Sequence, residues 1–394
     1  MPFYHILGQV PRKRHTVFRR PDGGLYSEQL MGNEGFTGPS SLLYHIHPPT
    51  TIKSVRRRKE TPYEKDDDLA LRHRHFRTRT LQPKGGSPTL DRIPLLFNAD
   101  IAMLWSEPDV HDEHFFRNAQ ADEVVYVAEG SGTLESQFGY LAIKPGDYVV
   151  LPRGIMHRWR FTGTAKLLIM ESRGYVRPPT RYRTEYGQIV EGAPYSERDF
   201  RRPTELTTFD EKGDFPIIVK QYNGLTEMVL DHHPFDVVGW DGFFYPWAFN
   251  IHDFEPIVGR IHQPPPVHQT FQGDGFVICS FCPRPYDFDP QAVPAPYAHS
   301  NVDSDEVLFY ASSEFMSRKG IEYGSITHHP DGLPHGPHPG RTEASIGAKA
   351  TNELAVMMDS FRPLHVAKAV LGCEDKDYYR SWIEAGEGFN PPTS

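Results

Sequence analysis

Hydrophobic residues in this 394-residue chain fall in short runs broken by turn residues. The pattern is clearest between residues 95 and 161. Val124-Val-Tyr-Val127 runs into Gly130-Ser-Gly132, and Gly139-Tyr-Leu-Ala-Ile143 leads through Lys144-Pro-Gly-Asp147 to Tyr148-Val-Val-Leu151. His157-Arg-Trp-Arg-Phe161 follows, then Lys166-Leu-Leu-Ile-Met-Glu171. Runs of this length with Gly, Pro and Asp at the junctions predict antiparallel hairpins of a small barrel or jelly roll. Strands resume near Val237 and end with Glu353-Leu-Ala-Val-Met-Met358. Residues 1–80 read as an irregular, partly β arm, and residues 173–235 as a mixed connection. A helical tail is expected at Val366–Leu371 and Lys376–Ala385.

One stretch of the pattern occurs twice. Phe116-Arg-Asn118-Ala-Gln-Ala-Asp-Glu123-Val-Val-Tyr-Val matches His299-Ser-Asn301-Val-Asp-Ser-Asp-Glu306-Val-Leu-Phe-Tyr. Each copy ends in the same phrase, Pro152-x-Gly-x-x-His157 and Pro330-x-Gly-x-x-His335. Repetition of one unit predicts a duplicated fold. Asn, then Glu five residues on, a β run, a turn and a later His resembles the cupin signature. The predicted class is therefore predominantly all-β: a bicupin of two double-stranded β-helix (jelly-roll) barrels with an irregular N-terminal arm and a short helical C-terminal tail. The expected divisions are 1–90 for the arm, 91–235 for the first, degenerate barrel and its connection, and 236–394 for the second barrel and tail.

Composition narrows the class further. The 36 prolines and 33 glycines interrupt the chain too often for long helices. Three cysteines, Cys279, Cys282 and Cys373, cannot all pair, and the N-terminus shows no signal-peptide pattern, which points to a reducing cytoplasm. No apolar run approaches membrane-spanning length. Residues 1–80 carry 15 Lys/Arg and 8 Asp/Glu, a balance of +7, so the net charge of −9 leaves −16 for the rest. Acidic residues interrupt the basic clusters and no nucleic-acid-binding module is recognisable. A solvated arm, or a basic face against a neighbouring subunit, is favoured over a nucleic-acid partner. Cys279-Ser-Phe-Cys282 has the spacing of half a zinc site, but no second half is visible and the segment alternates like a strand.

Alternation along a barrel strand points every second side chain inward, so positions on adjacent strands can converge on one ion. Only the second copy has a His before the Asn, so it alone assembles His299, Glu306 and His335. Two imidazoles and a carboxylate are the ligand set of a non-haem Fe(II) oxygenase. Asp305 competes for the carboxylate role, and the register of Asp122-Glu123 in the first copy favours Glu306. The first copy has Phe116 and Asn118 where ligands would stand. Its Glu123 and His157 read as a satisfied polar pair, with His111 and His114 nearby as weaker candidates for a second metal. No other cofactor-binding residue is identified. His262 and His268 flank Gln263-Pro-Pro-Pro-Val, and either has the chemistry of a base for a ring hydroxyl.

Several blocks together resemble the homogentisate 1,2-dioxygenase family over about residues 90–385. They are Pro234-Phe-Asp-Val-Val-Gly-Trp240-Asp-Gly242, Pro296-Tyr-Ala-His299-Ser-Asn301 with Glu306, Leu333-Pro-His335-Gly-Pro337, Met357-Met-Asp-Ser360, Lys376-Asp-Tyr-Tyr-Arg-Ser-Trp382 and Phe115-Phe-Arg-Asn118 with Asp122-Glu123. The resemblance implies Fe(II) held by His299, Glu306 and His335, with His262 as the active-site base. It implies cleavage of homogentisate to maleylacetoacetate with both atoms of O2 incorporated, in tyrosine and phenylalanine breakdown. It also implies a homo-oligomer, trimeric or hexameric, whose partners are a small aromatic acid and O2. The chain departs from the family where a His and a Lys-Tyr pair usually stand, at Trp240-Asp-Gly242 and Pro246-Trp-Ala-Phe249. That keeps gentisate, hydroquinone or a substituted homogentisate as alternatives. A metal-dependent bicupin isomerase and a non-catalytic binding bicupin are the alternatives of other classes.

Overall fold

A computed structural model describes residues 3–263 and 265–383. Regular structure among the described residues is mostly β, and the chain divides into two compact units. Residues 1–64 and 83–253 form the first, and residues 65–82 and 254–394 the second. Among the described residues no helix is long and apolar enough to cross a membrane.

In the first unit, seven strands lie in the order Phe200–Arg201, Trp247–Asn250, Asp147–Leu151, Asp122–Glu129, Lys166–Ser172, Ile101–Ser106 and Ile93–Phe97. A second sheet runs Gly139–Ile143, Gly132–Ser136, Met156–Phe161, Phe115–Asn118, Lys212–Gln221, Gly224–His232 and Ser54–Glu60. Val125, Val127, Leu134, Val149, Trp159 and Ile169, all essentially inaccessible, form the main apolar core. In Asp122–Glu129 both faces are buried for the first six residues, so Val124–Val127 reads as a continuous apolar run rather than an alternating one.

The stretch 173–235 is not merely a connection. It contains the hairpin Lys212–Gln221 with Gly224–His232, closed at Tyr222-Asn223, both with φ of +51°. Two adjacent positive φ values make the type I′ geometry that matches strand twist. Asn223 is held there by Gln120, whose amide donates to Asn223 Oδ1 at 2.9 Å and whose Oε1 accepts from Asn223 N at 2.8 Å. The N-terminal residues are also more regular than expected, with strands at His5–Gly8, Ser27–Gly32, Ser40–His45 and Ser54–Glu60. Much of their basic charge is answered within its own unit. Arg14 binds Asp241 at 2.8 Å and Arg56 binds Glu227 at 2.8 Å.

In the second unit one sheet runs Gln269–Gly273, Phe276–Phe281, Ala355–Ser360, Asp305–Tyr310, Ser325–His329 and Arg74–Arg77. Cys279 packs in its core beside Leu308 and Met357, and Cys282 donates to the Phe254 carbonyl at 3.4 Å. All three cysteines are buried and none forms a disulfide among the described residues, as suits structural thiols. The expected tail helices are 3-10 turns instead, Lys368–Cys373 and Tyr378–Arg380. Gly372 within the first and the short run before Ser381 leave too little chain for α-helical propagation. The end of the second predicted helix, beyond residue 383, lies outside the described residues.

Candidate metal centre

Glu306 is the second residue of the strand Asp305–Tyr310, paired across to His329 on one side and Asp359 on the other. Alternation sends Asp305 and Glu306 to opposite faces. Asp305 is fully engaged on its face: it pairs with His328 Nε2 at 2.8 Å and accepts from the amides of Leu364 at 2.7 Å and Asp331 at 2.9 Å. Glu306 faces three imidazoles. Its Oε1 lies 2.8 Å from His329 Nδ1 and 3.3 Å from His335 Nε2, and its Oε2 lies 3.7 Å from His299 Nε2.

His299 and His335 arrive on segments joined by a reciprocal backbone bridge, each amide donating to the other carbonyl at 2.8 Å. Gly336 permits this approach, because a Cβ there would stand 2.6 Å from Ala298 Cα. Each imidazole is oriented from behind by a carbonyl two residues earlier. His299 Nδ1 lies 3.4 Å from Tyr297 O, and His335 Nδ1 lies 3.3 Å from Leu333 O. Donation from Nδ1–H leaves the Nε2 lone pair pointing at Glu306.

That arrangement fits a cation. His335 Nε2 is buried without a hydrogen-bond partner. Lone pairs on Nε2 and on a carboxylate oxygen repel each other unless positive charge lies between them. Burial opposes ionisation of Glu306, but with hydrogens in place of lone pairs facing it, its contacts with His299, His329 and His335 outweigh burial and hold the carboxyl well below its usual range. The contact with Glu306 raises the His299 pKa against the effect of burial. One ligand atom from each of His299, Glu306 and His335 lies within 4.8 Å of the others, and among the described residues no other cluster of three or more such side chains does this.

The cluster opens on a cavity of about 510 Å³, whose lining includes His262, His268, Phe281, Tyr297, Arg318 and Asp359. Burial, and then the nearby Glu306, push the Asp359 carboxyl up to about 8. His262 keeps a 40% exposed side chain, packs edge-on against Tyr297 with ring centroids 5.2 Å apart, and has Nδ1 3.8 Å from Asp287. His268 is buried and stacked on Phe281, and burial pulls its pKa down to about 3.

In the first unit the corresponding positions are occupied by a different solution. Arg92 grips Glu123 with both terminal nitrogens, at 2.8 and 3.0 Å, and reaches Glu171 at 3.2 Å. Asn118 donates to Glu123 at 2.8 Å, and Lys220 donates to Glu171 at 2.7 Å. A buried guanidinium therefore supplies the positive charge among these carboxylates. The expected Glu123–His157 pair is corrected: Glu123 is satisfied by Arg92 and Asn118, and His157 Nε2 has no hydrogen-bond partner. His111 pairs with Glu113 and His114 with Thr89, away from the cluster. The sequence pattern does not single out Arg92, because it lies outside the repeated segment, 31 residues before Glu123.

Comparison with known proteins leads to the same family. The family described as "Homogentisate 1,2-dioxygenase N-terminal" matches residues 98–251. A provisionally named dioxygenase of Saccharolobus solfataricus is 43% identical over 97% of this chain and 99% of its own length. The homogentisate 1,2-dioxygenases of Rhodopseudomonas palustris (strain HaA2) and rice are 25% and 27% identical, over 98% and 96% of this chain and 92% and 88% of theirs. Fold and relatives together define a two-unit, mostly β protein of the dioxygenase class. The chain belongs to the homogentisate 1,2-dioxygenase family.

Proposed function

We propose that the protein is an Fe(II)-dependent ring-cleaving dioxygenase acting on a para-dihydroxylated aromatic acid, homogentisate in first place, which it converts to maleylacetoacetate. The observation that carries this reading is the cluster of His299, Glu306 and His335 opening on an aromatic-lined cavity, in a chain whose relatives align over nearly their full length. Those three residues hold the metal, and Asp305 serves the fold. Two imidazoles and one carboxylate would hold Fe(II) through these three residues, and the metal would supply activation of O2 and of the aromatic ring there.

The remaining roles belong to the protein's own side chains. Phe281, Phe315 and Tyr297 give the ring apolar walls and exclude water around it. His262 takes the proton of the ring hydroxyl that does not face the metal. It lines the cavity and stays partly open to solvent, so the proton has a way out. His268 suits this role poorly, because a base with a pKa near 3 takes no proton at neutral pH. Three buried cysteines without a disulfide among the described residues accord with a reducing cytoplasm.

Anaerobic loading with Fe(II), followed by O2 uptake with homogentisate, gentisate and hydroquinone, tests the reading. Uptake of one O2 per homogentisate is expected. Uptake with gentisate or hydroquinone alone would keep ring cleavage and change the substrate. No uptake with any of the three would end the proposal.

A further inference from the structure

The cavity contains a cation that no anion answers. Arg318 is 5% exposed, and among the described residues no carboxylate oxygen comes within 4.0 Å of its guanidinium. Its Nη1 donates to the Gly336 carbonyl at 2.6 Å, and its face lies 5.8 Å from the Trp382 ring. Its Nε has no hydrogen-bond partner. Nη1 also reaches the neutral Ser317 hydroxyl at 3.4 Å, and the phenols of Tyr310 and Tyr378 nearby are kept neutral by burial. Glu306 attracts it from further off, but that carboxylate is already shared among three imidazoles.

An arginine cannot escape the cost of burial by losing its proton. A buried charge without a counter-ion is costly and is normally paired. The cavity's other arginine is already paired, because Arg284 binds Glu353 at 3.2 Å and the Cys282 carbonyl at 3.1 Å. Of the two arginines among the described residues lining the cavity, Arg318 is therefore the one without a carboxylate partner. Its bond to Gly336 ties it to the residue after His335, which fixes the guanidinium relative to the metal-binding cluster.

We propose that Arg318 binds the carboxylate of the aromatic substrate and thereby selects aromatic acids over neutral diphenols. This rests on the ring-cleavage reading above. A planar guanidinium matches a carboxylate with two parallel hydrogen bonds, and a cavity of low polarity strengthens the pairing. One end of the ligand then meets the metal-binding cluster and the other meets Arg318, so the ring is positioned by its two polar ends.

Equilibrium binding to the Fe(II)-loaded protein without O2 tests the proposal, using homogentisate and 2-methylhydroquinone, which has the same ring without the carboxylate. The wild type is expected to bind the acid more tightly. Arg318→Met should weaken the acid about 10- to 100-fold, the range for a lost charged hydrogen-bonded contact, and leave methylhydroquinone unchanged. Arg318→Lys keeps the charge without the planar fork and should weaken the acid about 10-fold. Should one variant fail to fold, binding to the other still tests the assignment. A wild type without preference for the acid, or a folded variant that weakens both ligands equally or neither, overturns the assignment. Failure of the wild type to bind either ligand instead overturns the ring-cleavage reading itself.

Discussion

His329 and Glu306 stand directly opposite each other on antiparallel strands, with His329 Nδ1 2.8 Å from Glu306 Oε1. Behind the imidazole, Nε2 lies 3.3 Å from the Tyr378 hydroxyl. Burial holds the His329 pKa well below its ordinary value, so the ring is neutral. Glu306 is ionised and can only accept, so Nδ1 carries the hydrogen and the Tyr378 hydroxyl donates to Nε2. The carboxylate is thereby aimed by a chain of two hydrogen bonds that starts in the C-terminal 3-10 turn.

Breaking that chain should loosen the carboxylate without removing a ligand. His329→Leu is expected to lower metal affinity about 10- to 100-fold, the usual effect of losing a partner behind a ligand. His329→Gln, which can still donate to Glu306, should recover most of it. Competition with a chelator measures both variants, and unchanged affinity in His329→Leu would show that Glu306 needs no such support.

The two adjacent carboxylates should separate cleanly. Glu306→Gln is expected to leave almost no iron in the purified protein. Asp305→Ala should retain iron and lose about 3 kcal/mol of stability, because it strands the buried Leu364 amide, the partly buried Asp331 amide and the His328 ring. Metal analysis and urea denaturation on the same preparations decide the matter; iron loss in the Asp305 variant alone would reverse the two roles.

The convergence of His299, Glu306 and His335 is legible in the sequence because strand alternation and the repeat both fix a register. A carboxylate five residues after an asparagine at a strand start has only one inward choice. Elements set by tertiary contacts are not legible in this way. The hairpin at Tyr222-Asn223 depends on Gln120, some 100 residues away, and tyrosine at positive φ is not an expected turn former. Its usable signal is Asn223-Gly224, although the glycine begins the next strand rather than sitting in the turn. Arg92 and Arg318 lie outside any motif, and only folding reveals what surrounds them.

Arg92 makes the first unit dependent on one side chain. Arg92→Leu leaves Glu123 and Glu171 buried with less positive charge between them, and loss of one partner from such a cluster typically costs about 3–5 kcal/mol. Thermal denaturation should show the loss, and adding Glu123→Gln to the same chain should restore part of it. Iron per chain should stay at one, since the proposed ligands His299, Glu306 and His335 are in the second unit. A variant as stable as the wild type would mean that the remaining Lys220 and Asn118 contacts suffice.

The choice of base rests on two histidines of the same cavity with opposite surroundings. His268 is stacked against Phe281 in a dry environment, with a pKa near 3, and remains neutral throughout the working range. Replacing it with Phe should preserve the packing and change turnover little. His262 is partly open and can pass a proton to solvent or to Asp287, 3.8 Å away. His262→Phe is expected to keep its iron and its affinity for the aromatic acid, because neither depends on that ring. Turnover should fall about 10²–10⁴-fold, the range for a lost general base. A base also leaves a signature that a merely structural residue lacks: in His262→Phe the rate should rise with pH well above neutrality, as hydroxide takes over the proton. If the His262 variant turns over normally, or shows the wild-type pH profile at a reduced rate, the proton leaves by another route.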